Sequence, residues 1–426
     1  MGNGSLMIGV STRQNTANLV PFFQLSGEKM ILLETDLAKK NDWSMGIKRV
    51  IEGRGKECDI IPINNGTDLC EMETTITETL EKELSNHERQ RIWSIFGGGQ
   101  KLQQLAQFNH FKFRLGQGQD DMACYTEPQE KLTYIISPTS DVEKQSLKNT
   151  RKATDCLLDL NEILSIFGHE SKRSKCLWRR VNENAGKICG EDYFLTNEQE
   201  QWFDDYHRRQ AMFSFMLKKE EGESLPEVDT IFPINFQASM EKKSELGEYF
   251  ERLMQTRITR IIAASPEQHR INQVWANVHV YEHGGKNEIA EYDLVLVTNF
   301  GTIIPMDAKS YDFAKKDEDA RRFNLNNLSG VYTDFWAVFP YYQEDLKKES
   351  ILQKEESWKK LLRIPFALKQ RRSKMLSLSG VGVDAFYVFE NKKNKINITK
   401  APPHSAKASV KVNTLTTLID TLNLKK

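Results

Sequence analysis

Neither sign of charge is in excess: 59 Lys and Arg face 59 Asp and Glu. No global field therefore draws the chain to nucleic acid or to an anionic membrane, and any nucleic-acid contact has to come from local patches. Cysteine is sparse as well. The six thiols, at 58, 70, 124, 156, 176 and 189, form no CxxC pair and have no histidine partners at zinc-finger spacing, as expected of reduced structural thiols. No apolar run approaches the ~20 residues that a membrane-spanning helix needs. The opening MGNGSLMIGV also lacks the basic start and continuous apolar stretch of a secretory signal. The expectation is a cytoplasmic protein with no membrane partner. Repeats and low-complexity tracts are absent too.

What is present fits an ordinary globular protein: 426 residues, 39% apolar and 28% charged. That length exceeds what one core usually organises, so two domains are expected. Residues 6 to 136 alternate β-rich runs with segments of helical period, the α/β pattern of a largely parallel sheet. Strands are expected at 6–11, 30–35, 59–63 and 91–96. Trp43, Ile47, Val50 and Ile51 recur at helical spacing, as do Ile76, Leu80 and Leu84. A strand pair is expected at 123–126 and 132–136. Residues 146–235 are polar and helix-prone and read as a helical connector. A long amphipathic helix from about 240, with Leu246, Phe250, Leu253 and Ile258 on its apolar side, opens a second α/β unit. Its strands are expected at 274–282, 291–298 and 302–308, with a later strand at 383–389 and a helix at 415–424.

The densest chemistry lies in EYDLVLVTNFGTIIPMDAKS, residues 291–310. Two β-rich runs flank Asn299, Phe300 and Gly301, a turn signal of hairpin length. A hairpin symmetric about Phe300 sets Asp293 opposite Asp307, and period-two alternation points Lys309 to the same face as Asp307. Acids inside such apolar strands are costly unless a cation or strong hydrogen bonds compensate them. Carboxylate-bound Mg²⁺ or Mn²⁺ would supply that compensation, and with it the chemistry of phosphodiester hydrolysis. An Asp–Lys ion pair at an exposed hairpin end is the structural alternative. The runs GEYFE (247–251), EYD (291–293) and DAK (307–309) resemble the PD-(D/E)xK restriction-endonuclease fold in order and spacing. By that resemblance Glu251 is the helix acid, Asp293 and Asp307 are metal ligands with Glu251, and Lys309 is the catalytic lysine. Asp307 stands where many members carry glutamate, and Glu291 reads as an auxiliary acid.

The second informative stretch is RIWSIFGGGQKLQQLAQF, residues 91–108: a strand, three glycines, then a helix. Glycines there let backbone N–H groups approach an anion, the helix N-terminus adds a favourable dipole, and Lys101 adds a cation. GGGQK matches neither the Rossmann GxGxxG nor the Walker GxxxxGK(S/T) pattern, and a packing turn is the alternative. After the first strand, STRQNTANL (11–19) is rich in hydroxyls and amides at the sheet edge where open α/β folds bind ligands. Thr35 and Asp36 fall at the same edge. Together these stretches resemble the Rossmann-like CARF domain, the cyclic-oligoadenylate sensor of type III CRISPR systems. The carried-over positions are Ser11, Gln14 and Asn18 in the first loop, and Gly98, Gly99, Gln100 and Lys101 in the second.

Sensor at 1–145, helical connector at 146–235 and PD-(D/E)xK nuclease domain at 236–426 is the order of the CRISPR ancillary nucleases activated by cyclic tetra-adenylate. The resemblance implies a homodimer, a cyclic oligoadenylate activator and cleavage of DNA, RNA or both. Three other readings are a nuclease whose first domain only dimerises or recognises nucleic acid, a nucleotide-dependent oxidoreductase, and a catalytically dead sensor. Phe335, Trp336, Tyr341 and Tyr342 read as core aromatics or base-stacking platforms. The basic run at 369–374 reads as a phosphate contact or a solvated face.

Overall fold

A computed structural model describes residues 5–63, 68–85, 92–127, 132–136, 142–146, 158–182, 184–221, 243–266, 270–299, 301–308, 328, 335–342, 344–346, 373–378, 386–392, 395–400, 409–415 and 418–421. The fold is mixed α/β, built on two mixed sheets. The first sheet contains β1 (Ser5–Val10), β2 (Gly27–Glu34), β3 (Glu57–Pro62), β4 (Ile92–Ile95), β5 (Met122–Glu127), β6 (Leu132–Ile136) and β7 (Val142–Ser146). Their order is β3-β2-β1-β4-β5-β6-β7. The first five are parallel, and β6 and β7 follow antiparallel.

Strand alternation sets the layers. Met7, Met30 and Leu32 face the core shared with Ile47, Val50 and Ile51 of the helix α3 (Trp43–Gly53). Leu6, Ile8, Val10, Ile31 and Leu33 point the other way, onto Met72, Ile76, Leu80 and Leu84 of α4 (Leu69–Leu84). A strand buried on both faces reads as a continuous apolar run, the signature of a parallel sheet with helices on each side. The remaining helices of this half are α1 (Thr16–Gln24), α2 (Asp36–Lys40) and α5 (Lys101–Gly116).

The second sheet has ten strands in the order β16-β15-β17-β14-β13-β12-β11-β10-β8-β9. They are β8 (His169–Asn182), β9 (Ala185–Ile188), β10 (Ile271–Glu282), β11 (Glu288–Thr298), β12 (Ile303–Ala308), β13 (Phe335–Phe339), β14 (Ser373–Ser377), β15 (Phe386–Lys392), β16 (Lys395–Lys400) and β17 (Ser409–Thr414). Helices α6 (Leu160–Ile166), α7 (Asn197–Trp202), α8 (Tyr206–Glu221), α9 (Lys243–Ala264) and α10 (Leu418–Thr421) accompany it.

One expectation needs correction. The polar segment read as a helical connector does hold α6, α7 and α8, but β8 and β9 also lie within it and belong to the second sheet. Strand β8 pairs with β10, and the register slips where Val274 faces Trp178 and Trp275 faces Cys176. That bulge leaves Leu177 and Trp178 both buried, so the alternation that marks a strand is broken. Phe335, Trp336, Tyr341 and Tyr342 are buried in and after β13, so these aromatics are core. Residues 369–372 of the basic run lie outside the described residues.

The halves share one core. Leu158, Leu160, Ile163 and Leu164 join residues of the first sheet to those of the second. Arg54 of the first half forms an ion pair with Glu162 at the start of α6. Among the described residues, no helix is long and apolar enough to cross a membrane.

Candidate functional site

In the first half, the order β2-β1-β4 places the ends of β1 and β4 at the point where strand succession reverses, the crevice where open α/β sheets take ligands. The loop after β1 is tied down by its amides. Asn15 Oδ1 accepts the Thr12 N–H at 2.8 Å, and Asn15 Nδ2 donates to the Trp43 carbonyl at 2.8 Å. Asn18 is fully buried and donates to the Val10 carbonyl at 2.9 Å. Ser11 is buried too, its N–H bonded to the Leu33 carbonyl at 2.9 Å. Ser11 Oγ and Asn18 Oδ1 have no hydrogen-bond partner among the described residues.

The glycine turn packs directly on this loop. A Cβ at Gly98 would stand 2.5 Å from the Val10 carbonyl oxygen and 2.8 Å from Asn18 Nδ2, and one at Gly97 would stand 2.7 Å from the Ala17 carbonyl oxygen. Gly99 has φ +95°, a left-handed conformation that suits glycine. Gln103 Oε1 accepts the Gln100 N–H at 2.9 Å and so caps α5, whose exposed first residue is Lys101. Asn18 and Gly98 therefore meet at the end of β1, where Gly99 packs on Val10; Ser11 follows Val10 in the chain, Gln14 is half-buried and Lys101 is exposed. Thr35 instead caps α2, accepting the Ala38 N–H at 3.2 Å. Asn15 was not singled out from the sequence, although an Asn three residues after a Thr in a turn is a recognisable local cap.

In the second half, β11 and β12 pair with Leu294 facing Met306 and Val297 facing Ile303. Continuing that register sets Asp293 opposite Asp307, the symmetric hairpin expected from the turn. Phe300 and Lys309 lie outside the described residues. The two acids are locked across the strands. Asp293 Oδ2 accepts the Ala308 N–H at 2.7 Å, and Asp307 Oδ1 accepts the Asp293 N–H at 3.4 Å. Asp307 is completely buried on β12, between β11, whose Leu294, Val295, Leu296 and Val297 are fully buried, and β13.

Helix α9 lies against this hairpin. Gln255 donates to the Asp293 carbonyl at 2.7 Å and to Asn277 Oδ1 at 2.9 Å, and Asn277 Nδ2 reaches the Tyr193 hydroxyl at 2.9 Å. Half-buried Glu251 is one helical turn before Gln255, on the same side of α9. The Tyr193 phenol is held above its ordinary value, first by burial; the carboxylates of Glu251 and Glu248 push the same way, against Arg252 and Asn277. Asn277 is bent into the left-handed region at φ +50° inside β10. Neither Gln255 nor Asn277 stood out in the sequence, because their role depends on contacts between distant segments. As a donor set, two carboxylates from adjacent strands with a helix acid nearby suit a hard divalent cation such as Mg²⁺ or Mn²⁺.

A turn links the two regions. Gly301, at φ +78° between β11 and β12, would carry a Cβ 3.2 Å from Leu158 Cδ1, 3.2 Å from Val20 Cγ2 and 3.5 Å from Thr16 Cγ2. Helix α1 thus meets the glycine turn through Ala17 and the acid-bearing hairpin through Thr16 and Val20.

No protein-family profile matches the chain, and no curated protein matches it. Solved structures do share its fold. Protein VC1899 from Vibrio cholerae superposes with a TM-score of 0.56 at 14% identity, over 80% of this chain and 90% of that one. Can2 from Sulfobacillus thermosulfidooxidans, solved in complex with cyclic tetra-adenylate, gives 0.53 at 13% identity over 81% and 92%. A type III CRISPR defence DNA nuclease activated by cyclic oligoadenylate gives 0.51 at 11% identity, over 90% of this chain and 49% of that one.

Proposed function

We propose that this chain is a metal-dependent nuclease of the PD-(D/E)xK type, switched by cyclic tetra-adenylate and acting in type III CRISPR antiviral defence. The observation that carries the reading is the facing of Asp293 and buried Asp307 across one hairpin, packed on the helix that carries Glu251. The fold shared with Can2 and with a cyclic-oligoadenylate-activated DNA nuclease supports it.

In this reading residues 1–145 are the sensor, and the nuclease occupies 236–426 together with the strands that residues 146–235 add to its sheet. Asp293, Asp307 and Glu251 hold Mg²⁺ or Mn²⁺. When bound, the ion acidifies a ligated water and neutralises charge developing on the phosphodiester. Asp293 and Asp307 are fixed by the backbone N–H groups they accept, so the ligands are ordered before the ion arrives. Lys309 supplies a cation for the transition state. The substrate is DNA, RNA or both.

Ser11, Gln14 and Asn18 with Gly98, Gly99, Gln100 and Lys101 form the half-site for the activator. A two-fold dimer presents two such half-sites to one symmetric ring. Binding reaches the hairpin through α1, which touches the glycine turn at one end and the Gly301 turn along its side. A ligand shifts such an equilibrium only by contacting the two arrangements differently.

The experiment is cleavage of labelled DNA and RNA with Mn²⁺ or Mg²⁺ by wild type and by Asp293→Ala, Asp307→Ala and Lys309→Ala. Each variant should lose cleavage while keeping its circular dichroism spectrum, and EDTA should silence wild type. Full activity in a folded Asp307→Ala protein, or in EDTA, would overturn the metal-nuclease reading.

A further inference from the structure

We propose that Arg270 is an oxyanion site at the seam between the two halves, open to a small anion of the phosphate class. Among the described residues, the other buried arginines all have partners. Arg114 pairs with Asp121 at 2.6 Å, Arg209 with Asp345 at 3.0 Å and Arg257 with Asp204 at 2.9 Å. Arg180 donates to the carbonyls of Ile271 and Pro266 at 2.8 Å and 2.9 Å. Arg270 is the exception. Its Nε and Nη1 are enclosed without a hydrogen-bond partner. Burial lowers its pKa, with no carboxylate pushing the other way.

A guanidinium stays protonated in proteins, so the charge itself is fixed. An enclosed charge is costly until a counter-charge joins it. The neighbourhood supplies none. Asn299 donates its N–H to the Arg270 carbonyl at 2.9 Å, which sets the two residues opposite each other where β10 begins and β11 ends. Asn299 Oδ1 is also enclosed without a donor. A neutral amide or a water can accept one guanidinium N–H, but neither cancels the charge.

The position ties this cation to both halves. Beside Asn299 is the Gly301 turn, which packs on Leu158, Val20 and Thr16. Two residues after Arg270, Asn272 donates to the Leu158 carbonyl at 3.0 Å. The planar guanidinium fork matches oxyanions such as phosphate. Arg270 keeps only 7% of its surface, an opening that suits a small ion or the terminal phosphate of a mononucleotide and not a strand of nucleic acid. The site uses neither the acid pair nor the sensor loops, so it rests on no part of the nuclease reading.

The test is isothermal titration calorimetry of the full-length protein in EDTA, with chloride holding the ionic strength. The titrants are inorganic phosphate, adenosine 5′-monophosphate and adenosine. Phosphate should bind wild type, and Arg270→Met should lose one phosphate per chain. Arg270→Lys keeps the charge without the fork and should bind that phosphate about 10–100-fold more weakly; it decides the matter if Arg270→Met does not fold. Tighter binding of the monophosphate, with adenosine silent, would assign the site to nucleotide termini, and tighter binding of phosphate would assign it to the free ion. A wild type that binds neither overturns the proposal and leaves Arg270 hydrated. Binding that both variants retain in full also overturns it, since the anion then sits elsewhere. Neither failure touches the Asp293 and Asp307 reading, which cleavage and chelation test separately.

Discussion

Replacing Asp307 with Asn separates a metal ligand from a structural acid. Asparagine keeps the shape and can still accept the long 3.4 Å bond from the Asp293 N–H, so the backbone loses little. What changes is charge. Facing side chains on paired strands stand about 5 Å apart, and two unit charges at that distance repel by ~3 kcal/mol at an effective dielectric of about 20. The backbone dipoles aimed at these carboxylates offset part of this. In EDTA, Asp307→Asn should therefore be about 1–2 kcal/mol more stable than wild type, or about 2–8 °C in the unfolding of the second half. Mg²⁺ reverses the ranking. At a hundred times its dissociation constant a ligand stabilises the protein it binds by ~2.7 kcal/mol, which raises wild-type unfolding by about 5–11 °C and leaves the variant unmoved. Differential scanning calorimetry with EDTA or Mg²⁺ reads both effects. A variant that loses 3 kcal/mol or more in EDTA, or a wild type indifferent to Mg²⁺, would make Asp307 a structural residue and refute the reasoning.

Three further outcomes test the fold. Arg209 is fully buried, 3.0 Å from the equally buried Asp345 and 3.9 Å from the centre of the Tyr342 ring. Arg209→Ala strands that carboxylate and should cost about 3–5 kcal/mol by denaturant unfolding; a cost under 1 kcal/mol would contradict the buried pair. His110 is buried, and desolvation lowers its pKa despite the Glu81 carboxylate 3.0 Å away. As pH falls below the unfolded value of about 6.5, the unfolded chain takes up a proton that the folded chain resists, so stability falls by up to about 1.4 kcal/mol per pH unit. His110→Gln should flatten that acid limb in pH-dependent unfolding, and an unchanged limb would refute the assignment. Gly98→Ala drives a Cβ to 2.5 Å from the Val10 carbonyl oxygen. It should cost about 1–3 kcal/mol and weaken cyclic tetra-adenylate binding in calorimetry, while leaving Mg²⁺ binding intact; unaltered messenger affinity would make the turn a packing feature only.

The parallel strands were legible because β1 and β2 are buried on both faces and read as uninterrupted apolar runs. The β11–β12 hairpin was legible because its apolar arms are symmetric about the Asn-Phe-Gly turn. Strand β8 was not. HESKRSKCLWRRVN carries five Lys and Arg, and the bulge at Leu177 breaks the alternation, so its composition resembles that of a solvated helix. Within the candidate site, Asp293 and Asp307 could be paired from hairpin symmetry alone. Gln255 and Asn277 could not, since one lies on a helix otherwise read for its apolar stripe and the other takes a left-handed conformation that only the folded sheet imposes.

The central claim is that the first half governs cleavage by the second, and one assay meets it directly: the rate of cleavage of labelled single- and double-stranded DNA and RNA in Mn²⁺, with and without cyclic tetra-adenylate. The account predicts slow or no cleavage without the messenger and at least a tenfold rise with it. Equal rates in both conditions, with no cyclic-oligoadenylate binding detected by calorimetry, would contradict it.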